Sequence, residues 1–364
     1  MDKKIKVGKD REATFDKSLR YNRQKDYNIN DYDLLDFDFS TGKRKVYKNF
    51  NFSIFVNDEC NADCKFCVAQ LRYQHKSMMY TKEHIDSNYK YMKRLDEVLK
   101  LIRPLNPSIS ITGGEPTLSK NLHDILCLVD EYGFRKRTIT TNGTYLHMKN
   151  GVDSNMILED LIKYKFNHLN ISRTSIDSDL NQKIMRFNDT TKSNPFITSL
   201  QNIAQANEII RDNNSSLKIR LSCLLLRESV HDVDGIRRFI NEVSTSTGVD
   251  NFIFRQLMDY DKTAINTDKM KYCDDNKVDL VDVWEEMESH KEFTPYMNIL
   301  GYYYYVEIYK YLHNTVAMES ANLNQQYVEK NKNKDVVYEM VFHNNGNLCG
   351  SWIDKEDILN KYKA

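Results

Sequence analysis

Asn51-Phe52-Ser53-Ile54-Phe55-Val56-Asn57, followed at once by Asp58-Glu59-Cys60-Asn61-Ala62-Asp63-Cys64-Lys65-Phe66-Cys67, is the stretch on which the reading of this chain turns. Its first seven residues alternate as a β-strand does. Its last ten place three cysteines on one short loop, spaced C-x3-C-x2-C, with an aromatic just before the third.

Further apolar strands follow at 107–112, 136–142, 168–172, 217–224 and 251–257, separated by helix-period segments at 81–103, 119–132, 156–164, 198–213 and 232–246. Six strands alternating with helices predict an α/β fold with a parallel sheet and right-handed crossovers. Side chains alternate in direction along a strand, so residues of one parity share a face. One parity collects Ser53, Phe55, Asn57, Ser108, Ser110, Thr112, Thr138, Thr140, Asn142, Asn170, Ser172, Arg220 and Ser222. The other collects Phe52, Ile54, Val56, Ile109, Ile111, Ile139, Leu169, Ile171, Ile219, Leu221 and Cys223. A packed barrel interior is dominated by branched apolar side chains, so the polar parity predicts a lumen that holds polar cargo. An open sheet with one solvated face is the alternative. Helical crossovers argue against it, because they tend to cover both faces.

The 364 residues carry 52 Lys+Arg and 52 Asp+Glu, so no global field draws a duplex nucleic acid or an anionic membrane to the surface. The charged N-terminus has no apolar signal core, and no apolar run is long enough to span a bilayer. The expected compartment is cytoplasmic, where clustered cysteines bind metal more often than they form disulfides. Hydrophobic residues at 40%, with 23 Tyr and 16 Phe, supply a real core. The chain is read as an N-terminal extension (1–50), a core (51–260) and a C-terminal, substrate-specific extension covering that core (261–364). Within the last, 259–285 reads as a polar surface excursion, Tyr302–Tyr305 as an aromatic helix face, and 336–352 as a hairpin turning at Asn344–Asn347.

Three thiolates on one loop can hold three irons of a cubane and leave the fourth iron open to another ligand. Structural zinc prefers four closed ligands, commonly as paired C-x2-C knuckles. No second pair exists here, although His75 could complete a Cys3His site. The next strand ends in Thr112-Gly113-Gly114-Glu115-Pro116-Thr117, the third in Thr140-Thr141-Asn142-Gly143, and the sixth in Phe254-Arg255-Gln256-Leu257-Met258-Asp259. In this order these motifs resemble the radical S-adenosylmethionine (SAM) superfamily. Within it they are closest in pattern to the group containing the GTP cyclase of molybdenum-cofactor synthesis and viperin. The second-cluster (SPASM or twitch) cysteines of other members are missing, since Cys349 stands alone.

The resemblance implies a partial (β/α)6 TIM-like barrel with N- and C-terminal extensions. It implies a [4Fe–4S] cluster on Cys60, Cys64 and Cys67, and SAM cleaved reductively to a 5′-deoxyadenosyl radical. Phe66, Gly113, Gly114, Glu115, Ser172 and Met258 would bind SAM, with the methionyl ammonium on backbone carbonyls of the GGE segment. Thr140, Asn142 and Arg220 would face the substrate. A flavodoxin or ferredoxin is the implied reducing partner. The substrate is expected to be a nucleotide or other small polar metabolite, since the Arg220 guanidinium suits phosphate or carboxylate. The alternative is crosslinking or epimerisation of a ribosomally made precursor peptide. Cys223 and Cys127 read as core residues, and Cys349 as a hairpin packing residue or, less simply, a hydrogen donor.

Overall fold

The computed structural model describes residues 15–20, 28, 29, 32–67, 84–258 and 268–363. Its centre is a run of six parallel strands: β3 (Asn51–Phe55), β4 (Ser108–Thr112), β5 (Lys136–Thr141), β6 (His168–Ser172), β7 (Lys218–Leu224) and β8 (Asn251–Arg255). Helices join them, among them α1 (Asn88–Ile102), α2 (Leu122–Tyr132), α3 (Ile157–Lys163), α4 (Ser178–Met185), the single turn α5 (Asp189–Lys192), α6 (Leu200–Asp212) and α7 (Val233–Thr247). The outward parity is the core: Phe52, Ile54, Ile109, Ile111, Ile139, Leu169 and Leu221 are wholly buried.

Each helix docks through an apolar stripe. On α1 the buried positions Tyr91, Leu95, Val98, Leu99 and Ile102 recur at helical spacing. Full burial of one such aliphatic side chain stabilises by roughly 1.5–3 kcal/mol. The Ser87 cap, which accepts from Lys90 N at 3.1 Å, adds about 1 kcal/mol. The stripe therefore decides where the helix lies, and the cap decides where it starts.

The six strands do not close on themselves. On one flank β11 (Asn314–Ala321) pairs parallel to β8, followed by antiparallel β10 (Tyr304–Tyr311) and β9 (Phe293–Leu300). On the other flank β13 (Met340–Phe342) pairs parallel to β3, followed by antiparallel β14 (Leu348–Cys349) and β15 (Ile358–Asn360). The chain passes from one flank to the other through α10 (Leu323–Lys332). The result is a partial, open barrel to which the last hundred residues contribute strands of the same sheet. A small separate sheet holds β1 (Leu34–Phe39), β2 (Gly42–Tyr47) and β12 (Val336–Val337). Arg20, in the N-terminal segment, forks onto buried Glu307 of β10 at 2.6 and 2.9 Å.

Two expectations are corrected. The tyrosine run is a strand start, not a helix: β10 alternates, burying Tyr305, Tyr309 and Tyr311, and Tyr305 meets Trp284 edge-on at 5.3 Å. Tyr, Val and Ile in alternation favour a pleated surface. The excursion at 259–285 contains α8 (Asp268–Asn276) and α9 (Leu280–Met287), and α9 buries Leu280, Val283, Trp284 and Met287. Its acidic outer face masked this apolar spacing; residues 259–267 lie outside the described residues. Of the hairpin expected at 336–352, the part from β13 to β14 forms, with Val341 opposite Cys349, whereas Val336–Val337 pairs parallel with β2 in the small sheet. Among the described residues no helix is long and apolar enough to cross a membrane.

Candidate active site

The cysteine loop is seated by its neighbours' backbone. Gly114 N donates to Asn57 O at 2.9 Å, Glu115 N to Glu59 O at 2.7 Å, and Asn57 Nδ2 to Glu115 O at 3.0 Å. A Cβ on Gly113 would stand 2.7 Å from Asn57 O, and one on Gly114 2.2 Å from Glu59 O. Only glycine lets these two backbones approach so closely. Asn61, just after the first cysteine, is buried and ties the loop to Thr144 and Thr191 at 3.0 and 2.9 Å.

Glu115 and Asn142 are internal fasteners. The buried Glu115 carboxylate accepts from Thr117 N, Thr117 Oγ1, Thr141 Oγ1 and Asn142 N at 2.5–3.0 Å. Burial pushes its pKa up, against these hydrogen bonds, which pull it down. The Asn142 amide donates to Asn61 Oδ1 at 2.6 Å and accepts from Thr144 Oγ1 at 2.7 Å. Both side chains are thus committed to positioning the loops, which leaves backbone atoms of the GGE segment to meet a ligand.

One cavity of about 820 Å³ runs from the cysteines down the lumen. That is near the upper end of ordinary ligand sites, which span about 300–1,000 Å³. Every residue expected to hold the cluster, SAM or the substrate lies on its wall: Cys60, Cys64, Cys67, Phe66, Gly113, Gly114, Glu115, Ser172, Met258, Thr140, Asn142 and Arg220. Phe66 packs against a satellite cluster of Ile184, Leu226, Leu257 and Met270. Across neighbouring strands Asn170 donates to Thr140 Oγ1 at 3.2 Å and accepts from Arg220 Nε at 2.9 Å, so the guanidinium head is aimed by an anchored amide. Arg255 pairs with Glu319 at 3.0 Å and donates to Ser222 at 2.9 Å.

The sequence reading missed Lys136, which shares the lumen parity with Thr138 and Thr140 one step below the last residue counted. It also missed the wall from the flanking strands, where Tyr303, Glu319, Glu339 and Trp352 line the cavity. No local signal marks these residues, because their position depends on β11 and β13 joining the barrel.

Of the remaining thiols, Cys273 is buried on α8 and reaches the cavity wall. Cys349 is wholly buried in β14, 3.5 Å from Asp354 O, and does not line the cavity. Packing is therefore its role. Cys223 lies on the buried parity as expected. His75 lies outside the described residues. Ligand atoms of His123, Asp153 and Asp160 gather within 4.8 Å on the barrel's outside. The Asn150 amide donates to both carboxylates there, at 2.8 and 2.7 Å, making a hydrogen-bonded clasp.

Residues 54–240 match the family model of the radical SAM superfamily. The chain belongs to this superfamily. This radical SAM protein is similar to the GTP 3′,8-cyclase of Marinobacter nauticus, 28% identical over 136 residues, which cover 36% of this chain and 35% of that protein. It is similar to a probable GTP 3′,8-cyclase of Methanocaldococcus jannaschii at 22% over 205 residues (55% of this chain and 58% of that one). It is also similar to the 7,8-dihydro-6-hydroxymethylpterin dimethyltransferase of M. jannaschii at 31% over 94 residues (26% and 17%). The matches thus span less than two thirds of each relative. Among solved structures, Streptococcus suis SuiB bound to S-adenosylmethionine shares the fold, with a TM-score of 0.50 and 17% identity over 83% of this chain and 60% of that one.

Family membership implies SAM and a [4Fe–4S] cluster, and the donor set fits them. Desolvation pushes the Cys60 thiol up to about 11, with Glu115 and Cys67 adding to the shift, and Cys64 higher still, with Cys67 and Cys60 adding to it. Thiols that resist ionising side by side suit a cationic iron–sulfur unit that takes the place of their protons.

Proposed function

We propose that this enzyme cleaves SAM reductively at a cluster held by Cys60, Cys64 and Cys67, and takes hydrogen from a small, polar, anionic substrate, a nucleotide or related metabolite, held in the lumen. The observation that carries the reading is that the cysteine loop and Arg220 open into one cavity. When bound, the cluster and SAM supply a carbon-centred radical able to attack unactivated carbon. The chain's own residues do the rest. Backbone carbonyls of Gly113 and Gly114 receive the methionyl ammonium, Ser172 meets the carboxylate or ribose, and Phe66 and Met258 flank the adenine. Arg220, steadied by Asn170, takes the substrate's anionic group, with Thr140 beside it. In this reading the chain divides into an N-terminal extension (1–50), a shared catalytic core (51–260) and a C-terminal part (261–364) whose Tyr303, Glu339 and Trp352, on the cavity wall, adapt the core to one substrate. A flavodoxin- or ferredoxin-type protein supplies the electron.

The test is anaerobic turnover of Arg220→Ala. Substrate-coupled turnover should fall at least about tenfold while abortive 5′-deoxyadenosine release persists. Equal loss of both would move Arg220 to the SAM site or the fold. Deuterium entering 5′-deoxyadenosine from a labelled peptide, and from no labelled metabolite, would replace this reading with precursor-peptide modification.

A further inference from the structure

Strand β11 presents Thr315, Ala317, Glu319 and Ala321 on one face, while Val316, Met318 and Ser320 on the other are buried. Glu319 and Ala321 line the cavity, so this parity is the lumen side. With an alanine one lumen-facing step below it and another above, the Glu319 carboxylate stands clear of its own strand. It stands at the cysteine end. Gln256 N donates to Glu319 O at 3.0 Å, and Leu257, the next residue, belongs to the cluster that packs against Phe66. Arg255, directly opposite Glu319 in the sheet, fixes the carboxylate by donating from Nε to Oε1 at 3.0 Å. The guanidinium is itself held by Nη1 on Ser222 Oγ at 2.9 Å. The second carboxylate oxygen, Oε2, accepts from no group among the described residues.

A carboxylate in an ion pair is an acceptor only, and polar groups on a ligand cavity find their partners in the ligand. A hydroxyl and an ammonium are the two donors that would suit it. Arg255 decides between them. Its guanidinium already answers the charge of Glu319, so a second cation would meet a like charge beside it, whereas a neutral hydroxyl meets none. The field of Glu319 also reaches Arg220: burial, then Arg255 push that guanidinium's pKa down, and Glu319 pushes it back up. One ligand can therefore meet Arg220 with its anionic group and Glu319 with a hydroxyl. Arg255 is level with Leu224, two lumen-facing steps beyond Arg220 on β7, so the hydroxyl is met nearer the cysteines than the anion is.

We propose that Glu319 is a specificity-determining residue that accepts, through Oε2, a hydrogen bond from a substrate hydroxyl at the cysteine end of the lumen, and so selects substrates that carry a sugar hydroxyl such as those of a ribose. This rests on the reading of the lumen as the site of a small anionic substrate and adds a second point of attachment. A substrate held at both points cannot turn in the lumen, which fixes the carbon that faces the cysteine loop. An analogue without the hydroxyl leaves the carboxylate oxygen unpaired, and a site built to bond a hydroxyl rejects such an analogue.

The experiment is calorimetric titration of the anaerobically reconstituted full chain, with SAM present, against ribonucleoside mono- and triphosphates and their 2′-deoxy, 3′-deoxy and 2′,3′-dideoxy counterparts. 5′-Deoxyadenosine formed after reduction is read alongside. The ribonucleotide that most increases 5′-deoxyadenosine should bind at least about tenfold more tightly than the counterpart lacking the bonded hydroxyl. In Glu319→Gln the amide oxygen is needed by Arg255, which turns the NH2 group toward the lumen. The same comparison should then shrink to under about twofold, with unchanged circular dichroism as the control for folding. Should that variant not fold, Glu319→Asp, which keeps the charge beside Arg255 and shortens the reach, should lose the preference in the same way. A preference that persists in the variants would make Glu319 a brace for Arg255 and overturn the assignment. Tighter binding of a 3′-amino-3′-deoxy analogue than of its ribose parent would overturn the hydroxyl in favour of an ammonium. If the wild type binds ribo and deoxy forms equally while Arg220→Ala still uncouples turnover, only this inference falls; if neither holds, the anionic-substrate reading falls with it.

Discussion

The two ends of the cavity are built on opposite principles. At the cysteine end the protein answers most polar side chains, the buried Asn57 Oδ1 excepted: Glu115 by four donors, Asn142 by Asn61 and Thr144, and Asn61 by Thr144 and Thr191. At the opposite end Lys136 and Arg220 form no ion pair with a carboxylate among the described residues, Arg220 feels Glu319 only at longer range, and a histidine nitrogen is buried without a hydrogen-bond partner. Buried polar groups are ordinarily paired, so the first end is a finished mould and the second awaits a partner. A mould suits a cofactor whose shape never varies. Unanswered charge suits a ligand that supplies the missing counter-charge.

Steric damage to the mould should have the larger effect. Gly114→Ala would drive a methyl into the backbone of Asp58 and Glu59, at a cost of about 1–3 kcal/mol in backbone shift. The expected outcome is loss of most cluster incorporation on reconstitution, seen by iron and sulfide analysis, with a lowered melting temperature. Normal iron content would show that the close approach is not needed. At the other end Asn170→Ala should be milder, because Arg220 keeps its charge and loses only its anchor. A several-fold rise in KM with kcat nearly unchanged is expected once a substrate is in hand. A fall in kcat alone would place Asn170 nearer the chemistry.

The smallest effect concerns pH. The His168 imidazole titrates near 3 in the fold against about 6.5 when unfolded. Between those values the unfolded chain binds the extra proton, so stability declines as pH falls from 6.5 toward 3. At pH 5 the loss is at most about 2 kcal/mol, less what cavity water screens. His168→Asn should flatten that part of the stability profile in thermal unfolding; an unchanged profile would mean that the imidazole is not held neutral.

The mould was legible in the sequence because its parts are local. Three cysteines on ten residues, two glycines and a glutamate at a strand end, and a strict alternation of Ser and Thr with Ile each announce themselves within one element. The awaiting end was half legible. Arg220 showed through its parity, whereas Lys136 sits on the first residue of its strand, where alternation has barely begun. The lateral wall was not legible. Tyr303, Glu319, Glu339 and Trp352 reach the cavity only because β11 and β13 add to the two flanks of the core sheet, pairings between residues far apart in sequence. The tyrosine run misled for the same reason, since the strand it begins is defined by β9 and β11 on either side.

The most direct test is anaerobic SAM cleavage by the reconstituted wild type and by Cys64→Ala, read as 5′-deoxyadenosine formed after reduction alongside the iron–sulfur absorbance. Wild type should show both signals, and the variant should lose the two together. Cleavage surviving in the variant, or a wild-type protein that binds a single zinc and releases no 5′-deoxyadenosine, would contradict the assignment of the cysteine loop on which the whole account stands.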